Sequence, residues 1–156
     1  MNIGDIFGNC YDWLKWIYGI PLNEYLWGYN CDTEEFTNPN LYIIFMIVTL
    51  VLAFLICLYY YFGLKPVRNQ RRSWFFCLIG AIAFNFGWAT YKTWKDLSDG
   101  LIGNCLVYQS DGVTAQITST NCWLFGVANG LIMIIVFTLF SLLLKRFSKT
   151  GKHYPF

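Results

Sequence analysis

The chain has 156 residues, of which 56% are hydrophobic and 13% are charged. Soluble domains average roughly 45–50% apolar and about 25% charged residues, so the composition excludes an ordinary soluble domain. Aromatic residues reach 21%, an excess that is typical of proteins whose Trp and Tyr side chains lie at membrane–water boundaries. The net charge of +2 is less informative than the distribution of charges along the chain.

Residues 1–40 are predicted to form an outer segment that begins with an amphipathic helix. The apolar residues over positions 3–18 recur at helical spacing; they are Ile3, Ile6, Phe7, Cys10, Leu14 and Ile17. Gly19 and Pro21 are expected to end this helix. We expect it to anchor the outer segment at the membrane surface or, alternatively, to dock on protein as a gate or lever. No basic stretch followed by an unbroken apolar run precedes Leu41, so no cleavable signal peptide is expected.

Three apolar segments are predicted to cross the membrane. The first, residues 41–63, carries no charge and exceeds the length of about 20 helical residues that a bilayer core requires. Asn38 is its predicted N-cap and Pro39 its first helical residue. The second segment covers residues 73–94 and the third residues 122–144. None shows the polar face that a helix of a soluble bundle would present to water.

Lysine and arginine side chains predict the orientation. The loop at residues 64–72 and the tail at residues 145–156 hold eight of the eleven basic residues and none of the nine acidic ones. These eight are Lys65, Arg68, Arg71, Arg72, Lys145, Arg146, Lys149 and Lys152. By the positive-inside rule both segments are cytosolic, so the N-terminus lies outside a plasma membrane or bacterial inner membrane. We expect the basic clusters to contact anionic lipid headgroups, with no nucleic-acid partner.

The outer loop at residues 95–121 is predicted to carry a small β-hairpin. Two β-prone runs flank Asp111 and Gly112, a dipeptide that favours tight hairpin turns. An isolated hairpin is only marginally stable, so we expect a covalent link to hold it in place.

Four cysteines fall on the predicted outer side, where an oxidising environment favours disulfides; they are Cys10, Cys31, Cys105 and Cys122. Of the three possible pairings we favour Cys10–Cys31 and Cys105–Cys122, because each closes a loop within one outer segment. A zinc site or a thiol-redox centre is less favoured, because the Cys-x-x-Cys spacing is absent from the sequence. Cys57 and Cys77 fall within the spans and are expected to pack there.

Two amides, Asn85 and Asn129, lie inside predicted spans at similar depth. We expect them to form a hydrogen bond between helices that fixes the register; the alternative is that they line a wet cavity or a pore. The sequence contains no Asp, Glu, Arg or His within any span, and this absence argues against ion-coupled transport.

Small residues mark two predicted helix-packing faces. Gly80, Ala83 and Gly87 share one face of the second span, and Gly126 and Gly130 form a Gly-x-x-x-Gly motif in the third. Such residues let helix backbones approach closely in lipid. The two faces could pair within one chain or could meet another subunit, and both arrangements are compatible with the sequence.

The function predicted from these features is assembly. The sequence contains no nucleotide-binding loop, catalytic triad or metal-ligand cluster, so we expect no enzymatic activity, cofactor or metal. The favoured role is a structural or accessory subunit of a membrane protein complex, with lipids and other subunits or further copies as partners. The alternative is a homo-oligomeric channel or membrane-perturbing effector. The predicted fold is an all-α membrane protein with three transmembrane helices, an N-terminal amphipathic helix and the outer β-hairpin.

Overall fold

A computed structural model of the chain describes residues 3–63, 70–109 and 112–147. The helices within this part are α1 (Ile3–Asp12), α2 (Lys15–Tyr18), α3 (Ile20–Trp27), α4 (Tyr42–Leu58, continued by a π-helical turn at Tyr59–Gly63), α5 (Gln70–Ser98), α6 (Asn104–Val107) and α7 (Ser119–Lys145). Three of them, α4 with its π-helical turn, α5 and α7, are long and apolar enough to cross a membrane. The prediction of three spans is therefore confirmed at the level of helix length and composition.

The three long helices pack side by side, with α7 in contact with both α4 and α5. At the start of α7 the Thr118 backbone N–H donates to the Asn121 Oδ1 atom at 2.9 Å, and this bond satisfies a backbone donor near the helix N-terminus. At the start of α4 the Tyr42 backbone N–H donates to the Asn40 Oδ1 atom at 2.9 Å. The predicted cap at Asn38 is therefore wrong. The Asn38 N–H instead donates to the Gly28 carbonyl at 3.0 Å, so residues up to Asn40 belong to the preceding loop.

Helices α1, α2 and α3, with the loop that follows them, cover one end of the three-helix bundle; we call residues 3–41 the roof. Its buried side chains join those of the spans in one core cluster. A second cluster fills the opposite half of the bundle, between α4, α5 and α7. The roof is therefore part of the folded core and not a separate surface segment.

The roof differs from the single helix that the apolar spacing predicts. A turn separates α1, which ends at Asp12, from α2. Helix α2 ends at Tyr18 before Gly19, as expected, whereas Pro21 lies in the first turn of α3 instead of ending a helix. The face of α1 that packs inward includes Gly8 and Tyr11, whereas Ile6 and Cys10 are exposed. The reason is close packing, because a Cβ atom on Gly8 would lie only 2.2 Å from the indole ring of Trp27.

The predicted β-hairpin is not supported, because the described residues contain no β-strand. The first β-prone run forms α6, and a single isolated antiparallel bridge joins Tyr108 to Ala115. Leu106 and Ile117 are buried in the roof-side core. Burial of these side chains against the roof replaces the regular pairing that a hairpin would have needed. Asp111 of the predicted turn lies outside the described residues.

The structure also corrects the disulfide pairing. Cys31 in the roof is bonded to Cys105 in α6, with 5.9 Å between the Cα atoms. Cys10 and Cys122 are free, the first exposed and the second buried. The two predicted local pairings are wrong because α3 packs against α6. This packing brings the loop after α3 to the segment between α5 and α7, so the bonded cysteines are 74 residues apart in the sequence.

Candidate functional site

Three tyrosines from different helices meet in the buried layer between the roof and the bundle. Tyr11 comes from α1, Tyr18 from α2 and Tyr42 from the first turn of α4, and all three side chains are fully buried. The Tyr42 hydroxyl donates to the Asn23 Oδ1 atom at 2.6 Å, and the hydroxyls of Tyr18 and Tyr42 are 2.8 Å apart. The rings of Tyr11 and Tyr42 are stacked with centroids 4.8 Å apart. This layer holds the roof to α4.

The hydrogen-bond network continues from the tyrosines into the middle of the bundle. The Tyr11 hydroxyl donates to the Asn129 Oδ1 atom. Asn129 lies about 15 Å from the start of α7, because an α-helix rises about 1.5 Å per residue. The Asn85 Nδ2 group donates to the Asn129 carbonyl at 3.1 Å and to the Thr49 Oγ1 atom at 3.0 Å. One network thus links the roof to α4, α5 and α7.

The electrostatic state of this layer follows from its burial. Burial raises the pKa of both Tyr11 and Tyr18 above the ordinary tyrosine value, so both hydroxyls stay protonated and remain hydrogen-bond donors. Asp12 lies at the edge of the layer, where its Oδ1 atom accepts from the Asn23 amide at 3.3 Å. The neutral hydroxyls and amides satisfy one another, which is the arrangement of a cohesive network and not of an acid–base pair.

A second polar contact joins the roof to the C-terminal end of α5. Asp96 is 2% exposed, accepts from the Tyr25 hydroxyl at 3.1 Å and forms an ion pair with Lys92. Burial, followed by the neighbouring Asp96 carboxylate, raises the pKa of Tyr25. This contact was not predicted; its only signal in the sequence is the spacing of Lys92 and Asp96, four residues apart on one helix.

A third polar contact lies at the opposite end of the bundle and was also missed. The Trp74 indole N–H donates to the Ser141 Oγ atom at 2.9 Å, and the Tyr61 hydroxyl lies 2.6 Å from the same atom. Ser141 is 1% exposed, so α7 is joined to both α5 and the π-helical turn of α4 where water is excluded.

The structure separates the five predicted packing residues into two groups. A Cβ atom on Gly126 would lie 2.1 Å from the Thr90 Oγ1 atom, and one on Gly130 would lie 3.4 Å from an Ile82 methyl group. These two glycines therefore pack against α5 within the same chain. The other three lie on an exposed surface of α5, which we call the small-residue face; they are Gly80, Ala83 and Gly87.

An apolar groove runs beside the small-residue face, between α5 and α7. It has a volume of about 410 Å³ and is lined by Ile79, Ile82, Ala83, Phe86, Val127, Gly130, Leu131 and Ile134. A smaller cavity of about 280 Å³ adjoins it toward the roof end, where Phe86, Gly87, Thr90 and Trp123 are among the lining residues. The Thr90 Oγ1 atom is buried and has no hydrogen-bond partner within the part of the chain that the structure describes.

The predicted basic clusters lie at the end of the bundle opposite the roof, as far as the structure describes them. Arg71 and Arg72 are exposed at the start of α5, and Lys145 and Arg146 stand at the end of the antiparallel helix α7. The remaining predicted members lie outside the described residues; they are Lys65, Arg68, Lys149 and Lys152. Over residues 3–63, 70–109 and 112–147, no group of three His, Cys, Asp or Glu side chains is placed to share a metal ion.

Comparison with known proteins finds no family model, no curated protein and no solved structure that matches the chain.

Proposed function

We propose that this chain is a non-enzymatic membrane protein that acts by assembly, as a structural or accessory subunit of a membrane protein complex. The observation that carries the proposal is the small-residue face of α5. Gly80 and Gly87 have nothing within 4 Å of an added Cβ atom, so the helix backbone is open to a neighbour along about two turns.

Helix association in lipid explains why this face matters. Lipid chains are as apolar as leucine, so transmembrane helices associate through close packing and hydrogen bonds and not through a hydrophobic drive. The small-residue face permits the close approach, and the adjoining groove offers a concave apolar surface.

The proposed orientation places the roof outside and the basic end in the cytosol. Exposed Arg71, Arg72 and Arg146 support it, because Lys and Arg flanking membrane spans are retained on the cytosolic side. The Cys31–Cys105 disulfide supports the same orientation, because disulfides persist in oxidising compartments outside the cytosol. A plasma membrane or a bacterial inner membrane satisfies both conditions.

The alternative proposal, a homo-oligomeric channel, has less support. Its expected lining consists of polar residues of the spans, namely Asn85, Asn129, Thr90 and Thr138. The two amides are fully buried and hydrogen-bonded inside a single chain. The Thr138 hydroxyl donates to the Ile134 carbonyl of its own helix at 2.7 Å. An oligomer built around the small-residue face would therefore present a mainly apolar surface at its centre.

The assembly proposal is tested by replacing Gly80 and Gly87 together by leucine. The native chain, extracted from its own membrane into nanodiscs, is expected to run as a complex that contains other chains. The double variant should lose those chains while it keeps its helix content and thermal midpoint, because neither added side chain meets the fold. Val51→Leu on the exposed face of α4 is the matched control. A native chain that is monomeric, or a complex that survives the double substitution, would contradict the proposal.

A further inference from the structure

A cleft opens on the outer surface of the roof, away from the small-residue face. It has a volume of about 380 Å³ and is lined by Lys15, Ile20, Asn23, Glu24, Trp27 and Phe36. Four of these residues come from α3, at the spacing i, i+3, i+4 and i+7 that places side chains on one face of a helix. Lys15 at the start of α2 and Phe36 in the loop after α3 complete the lining.

Glu24 is the lining residue whose charge is available to a ligand. Its carboxylate has no hydrogen-bond or ion-pair partner among the residues that the structure describes. Lys15, by contrast, is paired with Asp12 at 2.9 Å, and the Asn23 Oδ1 atom accepts from the Tyr42 hydroxyl. Glu24 is therefore the unpaired charge of the cleft, whereas the charge of Lys15 is partly offset by Asp12.

The walls beside Glu24 are aromatic and apolar, and two of them are held in place by neighbours. The Trp27 ring packs on Gly8. The Phe36 ring makes an edge-to-face contact with the Tyr29 ring, with 5.3 Å between the ring centroids. Phe36 remains 61% exposed. Aromatic rings attract cations through their negative faces, and a carboxylate beside them adds direct charge attraction.

The charge of the whole outer segment favours the same kind of ligand. Residues 1–40 contain six acidic side chains and one lysine. Such an excess of one sign raises the local concentration of oppositely charged ligands near the surface. The acidic excess and the Glu24 carboxylate therefore both favour a cationic ligand.

We propose that the cleft binds an organic cation, an ammonium group that carries apolar substituents. The ammonium lies against the Glu24 carboxylate, and the substituents lie against Trp27, Phe36 and Ile20. This chemistry is shared by a free amine of the outer compartment and by the trimethylammonium headgroup of a lipid. The proposal does not depend on the assembly function, because the cleft and the small-residue face have no residue in common.

The test is calorimetric titration of the full chain with benzyltrimethylammonium in maltoside micelles, which carry neither a net charge nor an ammonium group. Saturable binding is expected, and Glu24→Gln should weaken it by up to about fivefold, the upper end of the range for loss of a partly exposed ion pair. Phe36→Ala should also weaken binding, because it removes one wall. Glu35→Gln is the control, since it removes one exposed acid of the same segment outside the cleft. Unchanged thermal midpoints show that the variants are folded.

Absence of saturable binding, or an equal loss in Glu24→Gln and Glu35→Gln, would overturn the proposal, because overall charge would then account for any attraction. A second titration in the same maltoside micelles supplemented with phosphatidylcholine, which adds the headgroup without changing the net charge, distinguishes the two sources of the ligand. Competition by this lipid assigns the cleft to a headgroup, and unchanged affinity assigns it to a free amine.

Discussion

At the scale of single residues, the buried polar groups of the roof and bundle are used to join different elements. Tyr42 and Asn23 join α4 to α3, and Asn85 joins α5 to both α4 and α7. Buried polar groups are costly when unpaired, so this network favours one arrangement of the four elements over others. The amides could be recognised from the sequence because polar residues stand out inside apolar runs. The roles of the buried tyrosines could not, because the excess of Trp and Tyr is typical of a membrane boundary and the sequence does not distinguish a tyrosine that points inward from one that points outward.

Replacing Tyr42 by phenylalanine should destabilise the fold by about 1–2 kcal/mol. The change removes the hydroxyl that donates to Asn23 and leaves a buried acceptor with fewer donors. Reversible unfolding in mixed micelles, followed by circular dichroism, measures the loss. Tyr108→Phe is the control, because Tyr108 is 42% exposed. Equal stability of the two variants would show that the buried hydroxyl contributes nothing.

At the scale of elements, the extent of the three spans could be predicted and the arrangement of the roof could not. Long uncharged apolar runs determine a transmembrane helix almost by themselves. The roof depends on contacts between distant residues, such as Tyr25 with Asp96. The disulfide prediction failed for the same reason, since closing a short loop is favoured in the sequence but the packing of α3 on α6 determines which cysteines meet.

The two glycine groups of the spans should respond oppositely to alanine. Gly126→Ala should lower the free energy of unfolding by about 1–3 kcal/mol, because the added methyl group would clash with Thr90 and the Phe86 carbonyl. Gly80→Ala should leave the isolated chain as stable or slightly more stable, because alanine is the better helix former and no atom lies near the added methyl group. Unfolding of both variants in the same micelles checks the difference. The same effect at both sites would contradict the separation of internal and exposed glycines.

The number of free thiols tests the corrected disulfide. The denatured, unreduced chain is expected to show four reactive thiols, belonging to Cys10, Cys57, Cys77 and Cys122, and two more after reduction. Replacing Cys31 by serine should lower the free energy of unfolding by about 4 kcal/mol in the chain-entropy model. The reason is that the substitution opens a covalent loop of 74 residues. A peptide map in which Cys31 is joined to Cys10, or six thiols before reduction, would contradict the observed pairing.

At the scale of the whole molecule, the two ends of the bundle differ in charge. The roof end carries Glu24, Glu34 and Glu35 among other acids, whereas exposed Arg71 and Arg72 stand at the opposite end. One asymmetry thus supports both the orientation and the preference of the roof cleft for cations. If the orientation were reversed, the arginines would have to be translocated and the disulfide would face a reducing compartment.

Cysteine labelling from one side of the membrane tests this orientation. Ala115→Cys and Phe147→Cys place single reactive thiols at exposed positions near opposite ends of the bundle, in a background where exposed Cys10 is serine. An impermeant maleimide added to intact cells should label position 115 at once and position 147 only after the membrane is opened. The Cys10→Ser parent is the blank, and labelling in detergent shows that both thiols react. Labelling of both positions from one side would contradict the crossing of the membrane by α7, the long helix that lies between them. Labelling of position 147 alone from outside would reverse the orientation and place the proposed cation cleft in the cytosol.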